Sequence, residues 1–495
     1  MSEHCNENTN TRQMTDVIEN RINNGYCVVL GAGVSNQPLV KLLYERGARI
    51  VVRDRKEKTE IKNIETLEKY SEELICGEMY LCGLDTHTPP EETVIFRSPG
   101  LRHDLPEILS AVEKGAVLTS EMELFFRLTR ANVIAITGSD GKTTTTTLIG
   151  KLLESGIESG NIYIGGNIGR PLLPENHNMT ERDFAVVELS SFQLQTMQAA
   201  PHTAVITNVT PNHLNWHKDM EEYTEAKYNI FAGEGCRHLV VSADNELSLK
   251  AALKVIKKES APRVTLFSLR GKSYNDVVPE ELRGHNTSAL YEKNGVIILS
   301  REGKETDIIK SSDIKIPGRH NVLNYMAAFA ATEEFVASDT IKKLAPEFGG
   351  VEHRIELVRE KDGVKYYNSS IDSTPTRTKA ALSSFEQKLI VICGGRNKNL
   401  PFDTLAQTLC ERAKSVVLTG ESADEIMQAL NEYDKFESSG LKTFICRGFE
   451  EAVRKAHSIA SEGDTVILSP ACTSFDAFDN FEERGNAFKN IVNSF

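Results

Sequence analysis

The sequence predicts an α/β protein of three consecutive units. These are an N-terminal Rossmann-like unit (1–121), a central unit built on a phosphate-binding loop and a mostly parallel sheet (122–350), and a C-terminal Rossmann-like unit (351–495). Three observations carry the prediction. An apolar run at 26–30 is followed at once by Gly31-Ala32-Gly33 and a helical pattern. Residues 131–147 read ANVIAITGSDGKTTTTT, a buried-strand run, a glycine turn, Lys-Thr and the start of a helix. Short apolar runs then alternate with helical patterns to the end of the chain, the alternation that builds parallel sheets.

The totals agree with such a chain. Its 495 residues suit about three domains. A hydrophobic share of 40% is ordinary for a globular protein. The net charge of −13 argues against nucleic acid as a partner, since no basic excess exists for phosphate contacts. No stretch of about 18 apolar residues occurs, so no membrane span is expected. The nine cysteines form no C-x-x-C pair and read as reduced thiols of a cytoplasmic protein. The polar N-terminus does not read as a signal peptide.

Taken in order, residues 1–25 read as a loose arm. Strands are expected at 26–30 and 48–52, with a helix near 38–46 between them. Asn36 stands where a dinucleotide fingerprint has its third glycine, so NAD fits poorly, and the two remaining glycines could equally cradle a uridine diphosphate. A strand at 94–96 ends in Ser98-Pro99-Gly100, and a linker is expected over 119–130. The second unit then continues with strands at 184–189, 204–208 and 238–242. Residues 260–315 read as a smaller antiparallel addition, and 321–335 as a helix. In the third unit 355–359 and 364–368 form a hairpin around Lys361-Asp362-Gly363. Strands follow at 388–393, 415–419, 442–446 and 465–468.

Chemistry concentrates at the cradle. Gly138, Ser139, Asp140 and Gly141 bring backbone N–H groups toward an oxyanion, and the following helix adds its positive end. Lys142 can reach outer phosphates and the Thr143 hydroxyl can sit on Mg²⁺. The usual G-x-x-x-x-G-K-[ST] spacing is not met, since its first glycine would fall at Ile136, so this is a shortened G-x-x-G-K-T form. Glu188 ends an apolar strand, where a carboxylate faces the ligand crevice of a parallel sheet. His213 follows the 204–208 strand, and Lys227 lies on a helix.

GSDGKTTTT, GGNIG, ELSSFQL, NVTPNHL, YTEAKYNIF, GRHNVLN, EHRIELV and SPACTSFDAFDNFEERG occur in that order. Together they resemble the Mur ligase family, and within it the D-glutamate-adding members most, from about Tyr26 to the C-terminus. The resemblance implies a domain for a UDP-muramoyl substrate, a central ATPase domain and a domain for the incoming amino acid. It implies ATP and two Mg²⁺ sites as cofactors, and UDP-N-acetylmuramoyl-L-alanine and D-glutamate as small-molecule partners of a monomer in peptidoglycan precursor synthesis. Lys142 and Thr144 would bind ATP phosphates, and Thr143 and Glu188 a first Mg²⁺. Asn167 and His213 would border the reacting carboxylate and the second metal, and Lys227 would be a carbamylated metal ligand. Asn321, Asn324 and Arg354 would contact the nucleotide. Ser35, Asp54, Arg55, Gly100 and Ser190 would line the UDP-substrate site, and Lys398, Ser474 and Phe481 would surround D-glutamate.

The implied chemistry activates a carboxylate as an acyl phosphate, which the amine of the amino acid then displaces. Two departures stand out. Where relatives commonly carry Asn-Asp-Ser-Lys, this chain has Asn368-Ser369-Ser370-Ile371, with Asp372 next; Asn397 stands where Asp is frequent. Asp372 either replaces the missing carboxylate or caps the helix starting near Pro375. The alternatives left open are another Mur or folylpolyglutamate-type ligase, and a nucleotide-binding regulatory paralogue without turnover.

Overall fold

A computed structural model describes residues 16–33, 36–258 and 260–495. The chain divides into two compact units. The first holds residues up to 309 together with 323–341; the second holds 310–322 and 342–495.

The first unit contains two sheets. One has five strands, β1 (Tyr26–Leu30), β2 (Arg49–Asp54), β3 (Glu73–Cys76), β4 (Thr93–Arg97) and β5 (Val117–Thr119), in the order β3-β2-β1-β4-β5. Every pairing is parallel, with Tyr26 opposite both Arg49 and Thr93. The chain order reverses between β1 and β4, which opens a crevice at their C-terminal ends. Gly31, at φ 96°, turns there against Ser98, whose Oγ a Cβ at position 31 would meet at 2.2 Å. Asn36 does not break this turn. Its Nδ2 donates to Gly31 O (2.9 Å) and to Ser98 Oγ (2.9 Å), tying the two strand-end loops together.

Two expectations for this part are corrected. The arm is not loose over its described residues, because 16–24 are helical and bury Ile18 and Ile22. No linker crosses 119–130. Glu121–Leu128 is a helix, capped by Ser120, which accepts from Glu123 N at 3.1 Å.

That helix sets up a dependence on pH. Glu121 is buried and its Oε1 accepts from Leu173 N at 3.2 Å. Burial pushes the carboxyl up to about 7, so the folded protein favours its neutral form. A carboxyl raised above its unfolded value of about 4.5 contributes stability that is fully present below that pH and is lost as pH rises through 7. Glu121→Gln keeps the acceptor and removes the ionisation. We expect it to be more stable than the parent by about 2–3 kcal/mol at pH 8, with the gap closing by pH 5. Urea unfolding at the two pH values checks this, and equal stabilities at pH 8 would disprove it.

The second sheet has nine strands: β6 (Asn132–Thr137), β7 (Ile162–Gly166), β8 (Phe184–Glu188), β9 (Thr203–Ile206), β10 (His238–Ser242), β11 (Arg263–Ser268), β12 (Thr287–Lys293), β13 (Val296–Arg301) and β14 (Lys304–Lys310). Their order is β14-β13-β12-β11-β10-β9-β6-β8-β7. The separate antiparallel addition expected over 260–315 is not found. β11 and β12 extend the main sheet in parallel, and antiparallel pairing begins only between β12 and β13. The reason lies in β11 and β12, which are almost wholly buried and so need neighbours and covering layers on both faces. The helix Arg319–Thr332 follows, close to its expected span.

The second unit carries the third sheet: β15 (Glu356–Lys361), β16 (Val364–Asn368), β17 (Leu389–Gly394), β18 (Ala413–Thr419), β19 (Lys442–Ile445) and β20 (Thr465–Leu468), in the order β15-β16-β20-β17-β18-β19. The β15–β16 hairpin is antiparallel and the other pairings are parallel. Its cores are aliphatic layers on the two faces, one around Leu389, Val391 and Leu405 and the other around Ile390, Val466 and Phe488.

Candidate active site

Four neighbouring strands of the second sheet end together. β9 leads into Asn208, β6 into the glycine turn, β8 ends on Glu188, and β7 leads into Asn167. Ligands of open parallel sheets bind at such strand ends.

The turn is fixed by its neighbours. Gly138 has φ 152°, and a Cβ there would meet Thr207 Oγ1 at 1.9 Å. Ser139 N donates to Asn208 O (2.9 Å), Asp140 N to Asn208 Oδ1 (3.0 Å), and Thr207 Oγ1 to Asp140 O (2.6 Å). The Ser139 hydroxyl lies between Thr210 O (2.9 Å) and Tyr223 OH (2.8 Å). Gly141, at φ 79°, caps the helix Lys142–Gly156, and a Cβ there would meet Asn324 Oδ1 at 2.4 Å. Asn324 is thus beside the cradle, and also accepts from Thr145 Oγ1 at 3.4 Å. Thr144 lies in the first turn of the same helix.

Lys142 Nζ spans the loop, donating to Gly138 O (2.9 Å) and Ser139 O (3.0 Å). Glu188 is buried, and both its oxygens are engaged. Thr143 Oγ1 donates to Oε2 and Asn167 Nδ2 to Oε1, each at 2.9 Å. Lys227 comes from the helix Met220–Tyr228, capped by Asp219. It is 1% exposed, donates to Gly138 O at 2.8 Å and lies 4.6 Å from the centre of the Tyr223 ring. Burial holds its amine well below the usual lysine range, and the Lys142 cation adds to the effect. His213 is held below its ordinary value first by desolvation and then by Lys142 and Lys227. Its backbone is left-handed at φ 56°.

The donor set fits Mg²⁺. A buried carboxylate and a hydroxyl are hard oxygen ligands, already 2.9 Å apart. Among the described residues no three of His, Cys, Asp and Glu gather into a metal cage. That suits an ion which keeps waters and substrate phosphates as its other ligands.

The remaining expected residues distribute as follows. Asp54, at the end of β2, accepts from Ala32 N (2.6 Å) and Lys56 N (2.8 Å), so it braces the loop after β1. Arg55 is exposed beside Glu78. Gly100 O accepts from Trp216 Nε1 at 3.2 Å. Ser190 caps the turn 191–194 in a reciprocal bond with Gln193. Ser35 lies outside the described residues.

Asn321, Arg354, Lys398, Ser474 and Phe481 belong to the second unit. Asn321 Nδ2 donates to Pro317 O at 2.6 Å, and Lys398 Nζ to Ser373 Oγ at 3.4 Å. Ser474 is buried, and Phe481 opens the helix Phe481–Asn493. Here Asp372 is buried, and its Oδ2 accepts from Ser469 Oγ at 2.8 Å. Burial pushes it up to about 6, opposed by hydrogen bonds from Ser369 and Ser469. Its backbone N–H donates to Ser369 O at 3.0 Å, so it stands beside position 369. It is not the helix cap, since Thr374 accepts from Arg377 N and takes that role. Asn397 holds the turn at Leu400.

Several site residues are not found by sequence reading. Thr207, Asn208 and Tyr223 shape the cradle from other segments. Arg484, 3% exposed, donates to Ser370 Oγ and O and to the carbonyls of Cys472 and Thr473. Its only signal is its place in the FEERG end of a resembling motif.

The Mur ligase middle domain matches residues 136–332, and the Mur ligase, glutamate ligase domain matches 353–472. The UDP-N-acetylmuramoylalanine–D-glutamate ligase of Ruminiclostridium cellulolyticum is 45% identical over 96% of this chain and 97% of its own length. That of Clostridium botulinum strain Hall is 43% identical over 94% and 96%. Among solved structures, MurF of Acinetobacter baumannii matches with TM-score 0.55 at 15% identity, covering 96% of this chain and 98% of its own. A UDP-N-acetylmuramoyl-L-alanyl-D-glutamate–2,6-diaminopimelate ligase matches with TM-score 0.55 at 15% identity, over 90% and 92%. On the strength of the near full-length relatives, the chain belongs to the Mur ligase family.

Proposed function

We propose that this chain is an ATP-dependent ligase that joins D-glutamate to UDP-N-acetylmuramoyl-L-alanine in the cytoplasm, as a step in peptidoglycan precursor synthesis. The observation that carries the reading is the assembly of Lys142, Thr143, Glu188, Asn167 and Lys227 on one glycine turn. Relatives at 43–45% identity that bear this name support the choice of substrates. The eight described cysteines are free thiols, in keeping with a reducing compartment. We take the three sheets as three domains, bounded near 121 and 350, acting in a monomer.

The turn's N–H groups and Lys142 would hold the ATP phosphates. Thr143 and Glu188 would hold Mg²⁺, which supplies charge neutralisation on the transferring phosphoryl group. Lys227, with its amine kept neutral by burial, is suited to add CO₂. The N–C bond forms, the proton leaves to solvent, and an anionic oxygen ligand replaces a neutral amine beside Glu188 and His213. Asn167 fixes one Glu188 oxygen, so that Thr143 addresses the other. Phosphorylation of the substrate's alanyl carboxylate turns a poor acyl donor into a good one, and the D-glutamate amine displaces phosphate. In the second unit Lys398 would pair a D-glutamate carboxylate, with Ser474 and Phe481 beside it.

Phosphate release measured across acceptors and amino acids tests this. Turnover is expected to require both UDP-N-acetylmuramoyl-L-alanine and D-glutamate, and to fail with L-glutamate or diaminopimelate. An equal rate with diaminopimelate would overturn the assignment.

A further inference from the structure

His213 sits in a backbone conformation that costs a non-glycine residue energy, and it persists only where surroundings impose it. The imposing contacts run to the first sheet. His213 O accepts from the backbone N–H of both Trp216 and His217, each at 3.0 Å. Trp216 Nε1 then donates to Gly100 O in the loop after β4 (3.2 Å). Arg102 of that loop donates to Trp216 O (2.7 Å), stands over the indole with 4.9 Å to its centre, and pairs with Glu222 (3.1 Å). Phe192 fills the space between, its ring centre 4.9 Å from that of His213 and 4.7 Å from that of Trp216. Arg97, at the end of β4, donates to Phe192 O at 3.1 Å.

We propose that Trp216 is a positioning residue: it clamps the His213 turn to the loop after β4, so that a ligand seated against that loop fixes where His213 stands. The loop leaves the C-terminal end of β4 at the crevice of the first sheet, where a substrate of that domain would lie. Occupation of one site is thereby felt at the other through the Trp216 indole, with Arg102 as the brace. The inference rests on the substrate reading above.

The chain has one tryptophan, so its indole N–H gives a single NMR signal. In the parent this proton is expected to exchange slowly and to shift when UDP-N-acetylmuramoyl-L-alanine is added without ATP. Trp216→Leu removes ring and donor together. Its kcat is expected to fall roughly tenfold or more, as misplacement of a reacting group does, with KM for ATP unchanged. Trp216→Phe keeps the ring contacts and is expected to fall between the two. In the Leu variant the His213 imidazole resonance should move while the thermal unfolding midpoint stays near the parent's. A Leu variant with the parent's kcat would overturn the proposal, as would an unmoved His213 resonance. A parent that turns over no UDP-muramoyl acceptor would count against the substrate reading instead, and the His213 resonance in the Leu variant would still decide the clamp.

Discussion

Lys227→Ala is expected to be nearly inactive and partly rescued by acetate. The side chain is buried, bonds Gly138 O and neighbours the Glu188 carboxylate through the turn. As an ammonium it would repel a divalent ion. As a carbamate it would supply oxygens that Mg²⁺ prefers. A small carboxylate fits the space that alanine vacates and brings two such oxygens. Recovery with acetate, and none with chloride at matched ionic strength, is the expected pattern. The parent enzyme, depleted of CO₂, should lose activity and regain it with bicarbonate. Full activity of Lys227→Ala without additive would mean the residue is no metal ligand.

Lys142→Ala is expected to cost at least ~3 kcal/mol of transition-state stabilisation, about two decades in rate. Lys142 begins the helix and crosses the turn to two of its carbonyls, so its ammonium is the cation nearest the phosphate-binding backbone. Product formation at saturating Mg²⁺ measures the loss, and activity within a few-fold of the parent would refute it. A second effect separates electrostatics from misfolding. After desolvation, the Lys142 ammonium is what holds His213 below its ordinary value. Removing it relieves the repulsion of the imidazolium, so His213 should titrate at higher pH in the variant. An unshifted titration would show that the two groups do not sense each other.

Local signals made most of the fold readable. The runs 26–30, 364–368 and 465–468 are sharply bounded, and they are strands with those limits. β3 and β5 are not legible, because edge strands of three or four partly exposed residues lack a pattern. The helix Glu121–Leu128 does carry a signal, Ser120 followed by Glu123, but its mixed apolar face hides it. In the 260–315 region β11 and β13 can be read as strand-like runs, but β12, β14 and all the pairings cannot, since pairing depends on residues far along the chain. The site divides the same way. Lys142 and Thr143 follow from a contiguous motif. Glu188 follows from its place at a strand end, and Asn167 and the metal-ligand role of Lys227 from resemblance; their shared hydrogen bonds become visible only once four strand ends meet. Arg484 makes all its contacts through carbonyls and one hydroxyl, which leave no trace in residue spacing.

The division of the chain has a consequence for its synthesis. The second unit takes residues 310–322 and then, after a return of 323–341 to the first unit, everything from 342 onward. The first unit therefore has its whole complement of residues once position 341 leaves the ribosome, before any of the third sheet has emerged. Units of this kind fold as they are completed, N-terminal first. The ATP-binding half can then assemble with residues 323–341 in place, while 310–322 waits for the rest of its unit. A shortened gene beginning at 342 would yield a second unit lacking 13 of its residues, 310 through 322. A gene ending at 341 would carry that segment as a passenger.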